Sequence, residues 1–299
     1  MRVDPNFVTN LSGALDQSQN VEANLTSQLS SGLRVTSLAI DPTAAAQASM
    51  IGSAIAQDDN FVQSASSEGS VLQVTDSTLG DVVTQLTSAL TLAVEGSNGT
   101  LNAANLSSIA QQLTGIRDQV MSLANTSYQG NYLFAGSQGA TQPFTLDTST
   151  SPATISYAGD TNIQYVTTPA GQKIQINLPG TNVFGAGSAG VLGALNQLIA
   201  DFSGGTAAAT SAADSAALTA AIGQVSQQRS ILDTSLNRLQ STSTYTQAEE
   251  AQLKVQQGNL VASDTASVAT QLNSAEVQNQ ALMSVMSALG KNDLFDYLQ

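Results

Sequence analysis

The stretch that decides the fold is IGSAIAQDDNFVQSASSEGSVLQVTDSTLGDVVTQLTSALTLA, which occupies residues 51–93. Alternating steps of four and three residues along it visit thirteen positions, and ten of these are apolar. Such a spacing returns to the same face of an α-helix at every step and is typical of coiled coils. The pattern therefore predicts one continuous helix with an apolar stripe that packs against other helices.

Weaker helical patterns lie on both sides of this stretch. Turn residues at 96–102 end the long helix, and a second apolar series at 106–123 follows so closely that the two helices are expected to be antiparallel neighbours. Upstream, residues 7–29 have a moderate helical spacing. Asp41 and Pro42 then predict the start of the long helix, since Asp caps helices and Pro suits their first turn.

The C-terminal third repeats the heptad pattern. Apolar residues from Leu218 to Leu260 share one frame, which shifts by one residue from Val261 onward. A sustained heptad repeat would keep its phase, so the shift predicts a break between two helical stretches near residue 260. We expect the long helices of the two ends to pack together.

The middle of the chain has a different character. Residues 153–157, 162–167 and 173–178 are rich in β-branched and aromatic side chains between turn residues, which predicts short antiparallel strands. A weaker helix is expected at 191–202, and 203–217 is interpreted as a low-complexity linker. The predicted fold is mainly α with a β insert: a long antiparallel coiled-coil-like helical bundle formed by both termini, with a small antiparallel β domain in the middle.

These patterns suggest three domains. Residues 1–40 and 261–299 are predicted to form a terminal-helix assembly domain. Residues 41–135 and 204–260 are predicted to form a helical bundle domain, and 136–203 a mainly β outer domain. We expect the insert to project away from the paired ends.

The composition excludes several functional classes. The 299 residues include neither His nor Cys, which excludes Ser-His-Asp triads, zinc fingers and thiol redox sites. A net charge of −14 argues against nucleic acid as a partner. No apolar run suits a cleaved signal peptide or insertion into a membrane. We therefore expect no enzyme activity and no catalytic, cofactor-binding or metal residues.

The acidic residues do not form an evident site. Asp58-Asp59 and Glu249-Glu250 are adjacent on helices, so their side chains diverge by about 100° and are expected on solvated faces. Asp16, Asp58 and Asp76 lie among apolar helical positions, either at the edge of the stripe or as polar residues that set helix register. Asp147 and Asp160 suit loop turns better than a cation site.

Both ends of the chain suggest an assembly surface. The first helix is short and polar, so its apolar face needs a partner, either the C-terminal helix or another chain. The ending LFDYL at 294–298 concentrates two aromatic residues in a short tail. The predicted assembly contacts are Phe7, Leu11, Leu15, Leu25, Leu29, Leu272, Leu282, Met286, Leu289, Leu294, Phe295, Tyr297 and Leu298.

Three motifs together carry a family resemblance. The first is Leu29-Ser30-Ser31-Gly32-Leu33-Arg34, followed by an Asp- and Ala-containing stretch at 40–48; the second is Tyr132-Leu133-Phe134-Ala135-Gly136; the third is the LFDYL ending. With these, the chain resembles the flagellin family, and within it the proteins that join the hook of the bacterial flagellum to its filament. The likeness covers about the first 145 and the last 85 residues.

The resemblance implies a structural role. Subunits would form a ring, with a neighbouring hook-associated protein, flagellin and further copies of the chain as partners. The resemblance also implies an extracellular location in the bacterial flagellum, type III export without a cleaved signal peptide, and a cytoplasmic export chaperone. Two alternatives are a minor or short filament flagellin and, in another class, a surface adhesin that acts through the β insert.

Overall fold

The computed structural model describes residues 5–37, 39–97, 100–185, 187, 190–205 and 207–295. Its helices are α1 (Pro5–Ser31), α2 (Pro42–Gly96), α3 (Ala103–Ala124), α4 (Gly180–Phe184), α5 (Val191–Ser203), α6 (Ala207–Val261) and α7 (Thr265–Phe295). Its strands are β1 (Ser127–Tyr128), β2 (Asn131–Tyr132), β3 (Phe144–Asp147), β4 (Thr154–Tyr157), β5 (Tyr165–Thr167) and β6 (Lys173–Gln175). The predicted fold class, mainly α with a β insert, is confirmed.

Helix α2 follows the heptad prediction closely. All thirteen positions of the 51–93 stripe are buried or half-buried. The helix begins at Pro42, and the Oδ1 atom of Asp41 accepts a hydrogen bond of 3.0 Å from the Ala44 amide, as expected of a cap. At the other end of the chain, the predicted break near residue 260 separates α6 from α7.

The chain divides into two compact units. The terminal unit comprises residues 1–57 and 249–299, and the central unit comprises 58–248. The divisions fall inside α2 and α6, so each of these long helices contributes to both units. The three-domain division expected from the sequence remains a prediction.

The central unit has an apolar core built from α2, α3, α5 and α6. Leu79, Leu86, Leu113, Leu195 and Leu218 are completely buried there. Each leucine buried in this way stabilises the fold by about 1.5–3 kcal/mol relative to an exposed one. Because these helices bury one another's apolar faces, the core of the central unit forms within a single chain.

Acidic residues of the stripe have different environments. Asp76 receives two hydrogen bonds from Arg229 of α6, of 2.8 and 3.1 Å, which fit a register-setting role. Asp16 is exposed. Asp58 is buried, so the expectation that it lies on a solvated face is wrong. It is buried because it lies on the apolar stripe of α2, which faces the interior.

The β insert consists of three antiparallel ladders of two strands each: β1–β2, β3–β4 and β5–β6. Strands β4, β5 and β6 coincide with the three predicted segments, although β5 begins at Tyr165. Strand β3 was not predicted; it pairs Phe144 with Tyr157 of β4. The ring of Phe184 packs in an edge-to-face arrangement against the rings of Phe134 and Phe144, with centroids 5.1 and 5.3 Å away.

The prediction of a linker at 203–217 is wrong. After Gly204 and Gly205, helix α6 begins at Ala207 and runs without interruption to Val261. The reason is composition: the segment is rich in alanine, which has the highest helix propensity of all residues. The low complexity of this segment reflects helix-forming residues instead of a flexible connection.

Candidate assembly surface and signature motifs

Helices α1 and α7 pack against each other in the terminal unit. Leu25 of α1 and Val268 and Ala275 of α7 form a buried apolar cluster, with Leu272 half-buried against it. The apolar face of α1 thus contacts the C-terminal helix, which is one of the two partners expected from the sequence. This cluster is small: within the part of the unit that the structure describes, it has three buried members, and one of them is an alanine.

Polar groups also take part in this helix pair. Asn279 donates a hydrogen bond of 2.8 Å from its Nδ2 atom to the Glu22 carboxylate. The hydroxyl of Ser18 is buried without a hydrogen-bond partner among the described residues. An unsatisfied buried group destabilises a fold by about 1–3 kcal/mol. The pair of α1 and α7 thus buries few apolar side chains for helices of this length, and we expect their contact to be weak.

Large apolar side chains remain exposed on the same two helices. Val277 of α7 is 61% exposed, although apolar side chains of the central core are fully enclosed. Exposed apolar groups that cluster on one part of a protein mark contacts with other proteins. The exposed apolar residues of these helices are Val21, Leu29, Val277, Met283, Val285 and Met286.

The predicted assembly contacts have several different environments. Leu29 and Met286 are exposed; Leu11, Leu15, Leu272 and Leu282 are half-buried; Leu25 is buried. The side chains of Phe7, Leu289, Leu294 and Phe295 and the residues Tyr297 and Leu298 lie outside the described part of the structure. As a set, these contacts remain a prediction.

On α7, sequence reasoning missed three of the exposed residues. Val277, Met283 and Val285 are absent from the predicted contacts because they lie off the heptad frame of α7. A signal was available in the sequence. It consists of apolar residues on the outer face of α7, whose inner face already packs against α1.

The first signature motif ends α1 with a glycine cap. Gly32 adopts a positive φ of 69°, and its amide donates a hydrogen bond of 2.9 Å to the Gln28 carbonyl. A left-handed residue after a helix is a common way to satisfy its last carbonyl groups. The chain then forms an antiparallel bridge between Leu33 and Ala262, which follows α6.

Arg34 of the same motif connects three segments of the terminal unit. One guanidinium nitrogen lies 3.3 Å from an Asp41 carboxylate oxygen, and the other donates a hydrogen bond of 3.0 Å to the Leu260 carbonyl. Hydrogen bonds from the Ala44 amide and from Arg34 lower the pKa of Asp41. The motif therefore ties the end of α1 to the start of α2 and the end of α6.

The second signature motif is buried in the central unit. Phe134 and Ala135 are completely enclosed. The Phe134 carbonyl accepts hydrogen bonds from the Gly180 amide, at 2.8 Å, and from the Tyr157 hydroxyl, at 2.9 Å. Burial raises the pKa of Tyr157, so its hydroxyl keeps the proton that it donates. These contacts join the start of the insert to β4 and α4.

The end of this motif requires glycine at residue 136. Gly136 has a φ of 71°, and a Cβ atom there would lie 2.1 Å from Oδ1 of Asp160. The Asp160 carboxylate accepts hydrogen bonds from the Ser137 hydroxyl and amide and from the Asn162 amide, which lower its pKa. Asp147 likewise accepts a bond from the Ser149 amide. Both carboxylates thus stabilise loop turns, as expected.

The described residues contain no cluster of three acidic side chains that could hold a metal ion. Within the same part of the chain, no helix has the length and apolar character needed to cross a bilayer. Both motifs consist of backbone caps, buried rings and turn contacts. Their residues position chain segments, and the exposed apolar helix faces are the candidate site for contact with other proteins.

Comparisons with known proteins agree with this arrangement. Residues 7–139 match the bacterial flagellin N-terminal helical region, and residues 216–298 match the bacterial flagellin C-terminal helical region. The chain is 31% identical over 233 residues to flagellar hook-associated protein 3 of Escherichia coli K12, covering 72% of this chain and 73% of that protein.

Solved structures share the fold. Hook-associated protein 3 of Legionella pneumophila superposes with a TM-score of 0.64 at 14% identity, covering 71% of this chain and 98% of that one. The flagellar junction protein FlgL of the same organism gives a TM-score of 0.60 at 15% identity, covering 72% and 99%. The matches of the two terminal regions and the similarity to the relatives together show that this chain belongs to the flagellin family, in the group of the flagellar hook-associated proteins 3.

Proposed function

We propose that the chain is a structural adaptor subunit of the bacterial flagellum, which assembles as a ring at the hook–filament junction and joins hook-side proteins to flagellin. The observation that carries this proposal is the exposure of Val277 and Met283 on α7, a helix that already packs against α1. Relatives named hook-associated protein 3 and flagellar junction protein support the position of the subunit between hook and filament.

Neighbouring subunits would complete the terminal unit. The cores of protein interfaces are depleted of charged residues, and the 31 residues of α7 include only Glu276, Lys291 and Asp293 as charges. Few charged groups therefore lose their water when another helix covers this face. We infer that copies of the chain cover one another around the ring.

The other partners follow from the same position. A neighbouring hook-associated protein lies on one side of the ring and flagellin on the other, and a cytoplasmic export chaperone holds the chain before export. The protein is then extracellular, within the flagellum, and is exported without a cleaved signal peptide. The tail residues Leu294, Phe295, Tyr297 and Leu298 are proposed as contacts to these neighbours.

A minor or short filament flagellin is the second candidate, since both terminal regions match flagellin. The two functions differ in polymerisation. A flagellin forms long filaments from the purified chain, whereas an adaptor does not. Long filaments grown from this chain alone would favour the second candidate.

The adaptor is tested in the bacterium that carries the gene. A deletion strain should keep its hooks and release unpolymerised flagellin into the medium, and the full chain should restore filaments. A chain without residues 294–299 should be exported but fail to join the hook tip. Filaments that grow normally in the deletion strain, or on the shortened chain, would contradict the proposal.

A pair of substitutions tests the exposed face itself. Val277→Ser on α7 should reduce incorporation at the hook tip. Val94→Ser on α2 is the matched control, because both side chains are 61% exposed. Equal incorporation of the two variants would exclude Val277 as a contact.

A further inference from the structure

A cleft of about 340 Å³ lies in the central unit, between α2 and the strands of the insert. Its volume is within the range of about 300–1,000 Å³ that small-molecule sites occupy. Four parts of the fold line it: α2, the β1–β2 hairpin, the loop at 133–139 and the region around β5 and β6. The polar and aromatic side chains that matter are Glu68, Tyr128, Gln129, Tyr132, Gln164 and Asn177.

The hydrogen-bonding groups of the cleft both donate and accept. The carboxamide side chains of Gln129 and Gln164 are exposed at the cleft and make no hydrogen bond to any other described residue. Each offers one acceptor oxygen and two N–H donors, and each tyrosine hydroxyl also does both. Such groups match a ligand whose hydroxyls donate and accept side by side.

The walls of the cleft are fixed by the fold. Asn177 accepts a bond of 2.8 Å from the Gln164 amide and donates one of 2.9 Å to the Asn162 carbonyl. Gln129 lies at the tip of the β1–β2 hairpin with a φ of 52°, in a turn that its ladder holds. A ligand would therefore meet a site whose backbone needs little ordering, which favours binding.

Charge restricts the class of ligand. Glu68 is the one charged residue in the lining, and neither Lys nor Arg lines the cleft among the described residues. Partial burial raises the pKa of Glu68, in keeping with a carboxyl group shielded from water. Anionic ligands are disfavoured by this carboxylate, whereas pairs of hydroxyls can donate to its oxygens.

We propose that this cleft binds a neutral saccharide, with Glu68, Gln129 and Gln164 as hydrogen-bond partners of its hydroxyls and Tyr132 against an apolar face of the sugar. Aromatic side chains combine a flat apolar surface with a polar tip, which suits a ligand with both kinds of surface. This activity is separate from the junction role, and its failure would leave that role untouched.

The test uses the full chain and a printed array of neutral and sialylated glycans. We expect binding to neutral glycans and none to their sialylated counterparts. Titration calorimetry with the best neutral glycan then measures the variants. Glu68→Gln and Tyr132→Ala should each weaken binding by about tenfold, because hydrogen bonds to a charged group and stacked rings contribute strongly.

Two matched substitutions at exposed residues serve as controls. Glu249→Gln and Tyr245→Ala should bind the glycan as tightly as the parent chain does. Circular dichroism checks folding, and Glu68→Gln keeps the size of the side chain, so it remains informative if Tyr132→Ala unfolds. Absence of glycan binding, undiminished binding by Glu68→Gln, equal binding of sialylated glycans or a response to peptides alone would overturn the proposal.

Discussion

The two compact units are built from the same long helices but bury very different amounts of apolar surface. In the central unit, Leu79, Leu86 and Leu113 are completely enclosed. In the terminal unit, the contact between α1 and α7 rests on Leu25, Val268 and Ala275, beside a buried Ser18 hydroxyl that lacks a partner among the described residues.

The difference shows that the length of its helices does not decide whether a region can bury its apolar surface within one chain. Isolated helices are marginal in water, and packing of an apolar face supplies most of their stability. The central unit obtains that packing within one chain. The terminal unit keeps apolar side chains such as Val277 in solvent, and our proposal is that other subunits cover them.

The largest effect is expected from a core deletion in the central unit. Leu113→Ala should lower its free energy of unfolding by about 2–5 kcal/mol, because the change removes buried methyl groups and leaves a cavity. Leu25→Ala, the matched change in the terminal unit, should leave the unfolding transition of the central unit unchanged. Urea denaturation followed by circular dichroism measures both. Equal losses would remove the distinction between the units.

The motif glycines sharpen the comparison with a smaller effect. Gly32→Ala should destabilise its turn by about 1–2 kcal/mol, since the space around its Cβ position is open and only the positive φ opposes the change. Gly136→Ala should be more severe, because its Cβ would also collide with Asp160. Thermal melts compare the two. A milder effect at residue 136 would contradict the role given to that contact.

The smallest effect is a local dependence on pH in the central unit. Hydrogen bonds from Ser137 hold the pKa of Asp160 below its ordinary value of about 3.9. The unfolded chain therefore binds the proton more readily than the folded one. The stabilisation is fully present above the ordinary pKa and is lost as pH falls through the lowered one.

An NMR titration of the Ser137 amide measures this dependence. Its signal should change below the ordinary pKa of an aspartate. Asp160→Asn should abolish the change, because the variant has no carboxyl group to titrate. A midpoint above the ordinary value would contradict the assigned hydrogen bonds.

Much of the helical fold could be predicted from spacing alone. The 51–93 stripe specified α2, and the frame shift after Leu260 located the break between α6 and α7. The segment at 203–217 could not be assigned from complexity, because alanine-rich sequence suits both a linker and a helix. Strand β3 was not predicted because its formation depends on contacts with other segments. It pairs with β4, and the ring of Phe144 packs against that of Phe184.

The candidate site was predictable only in part. Heptad positions such as Leu25 and Leu272 were recognisable, but these two contact each other's helices within one chain. The exposed Val277 and Val285 lie off the frame, so periodicity did not indicate them. The hydrogen bond from Arg34 to the Leu260 carbonyl joins segments far apart in sequence, which spacing does not reveal.

Hydrogen exchange followed by mass spectrometry tests the central claim most directly. In the isolated chain, amides of α1 and α7 should exchange rapidly while the core of 58–248 stays protected, because the weak contact opens at a low free energy. In purified flagella the same helices should become protected as neighbouring subunits cover them. Equal protection of both units in the isolated chain would contradict the account.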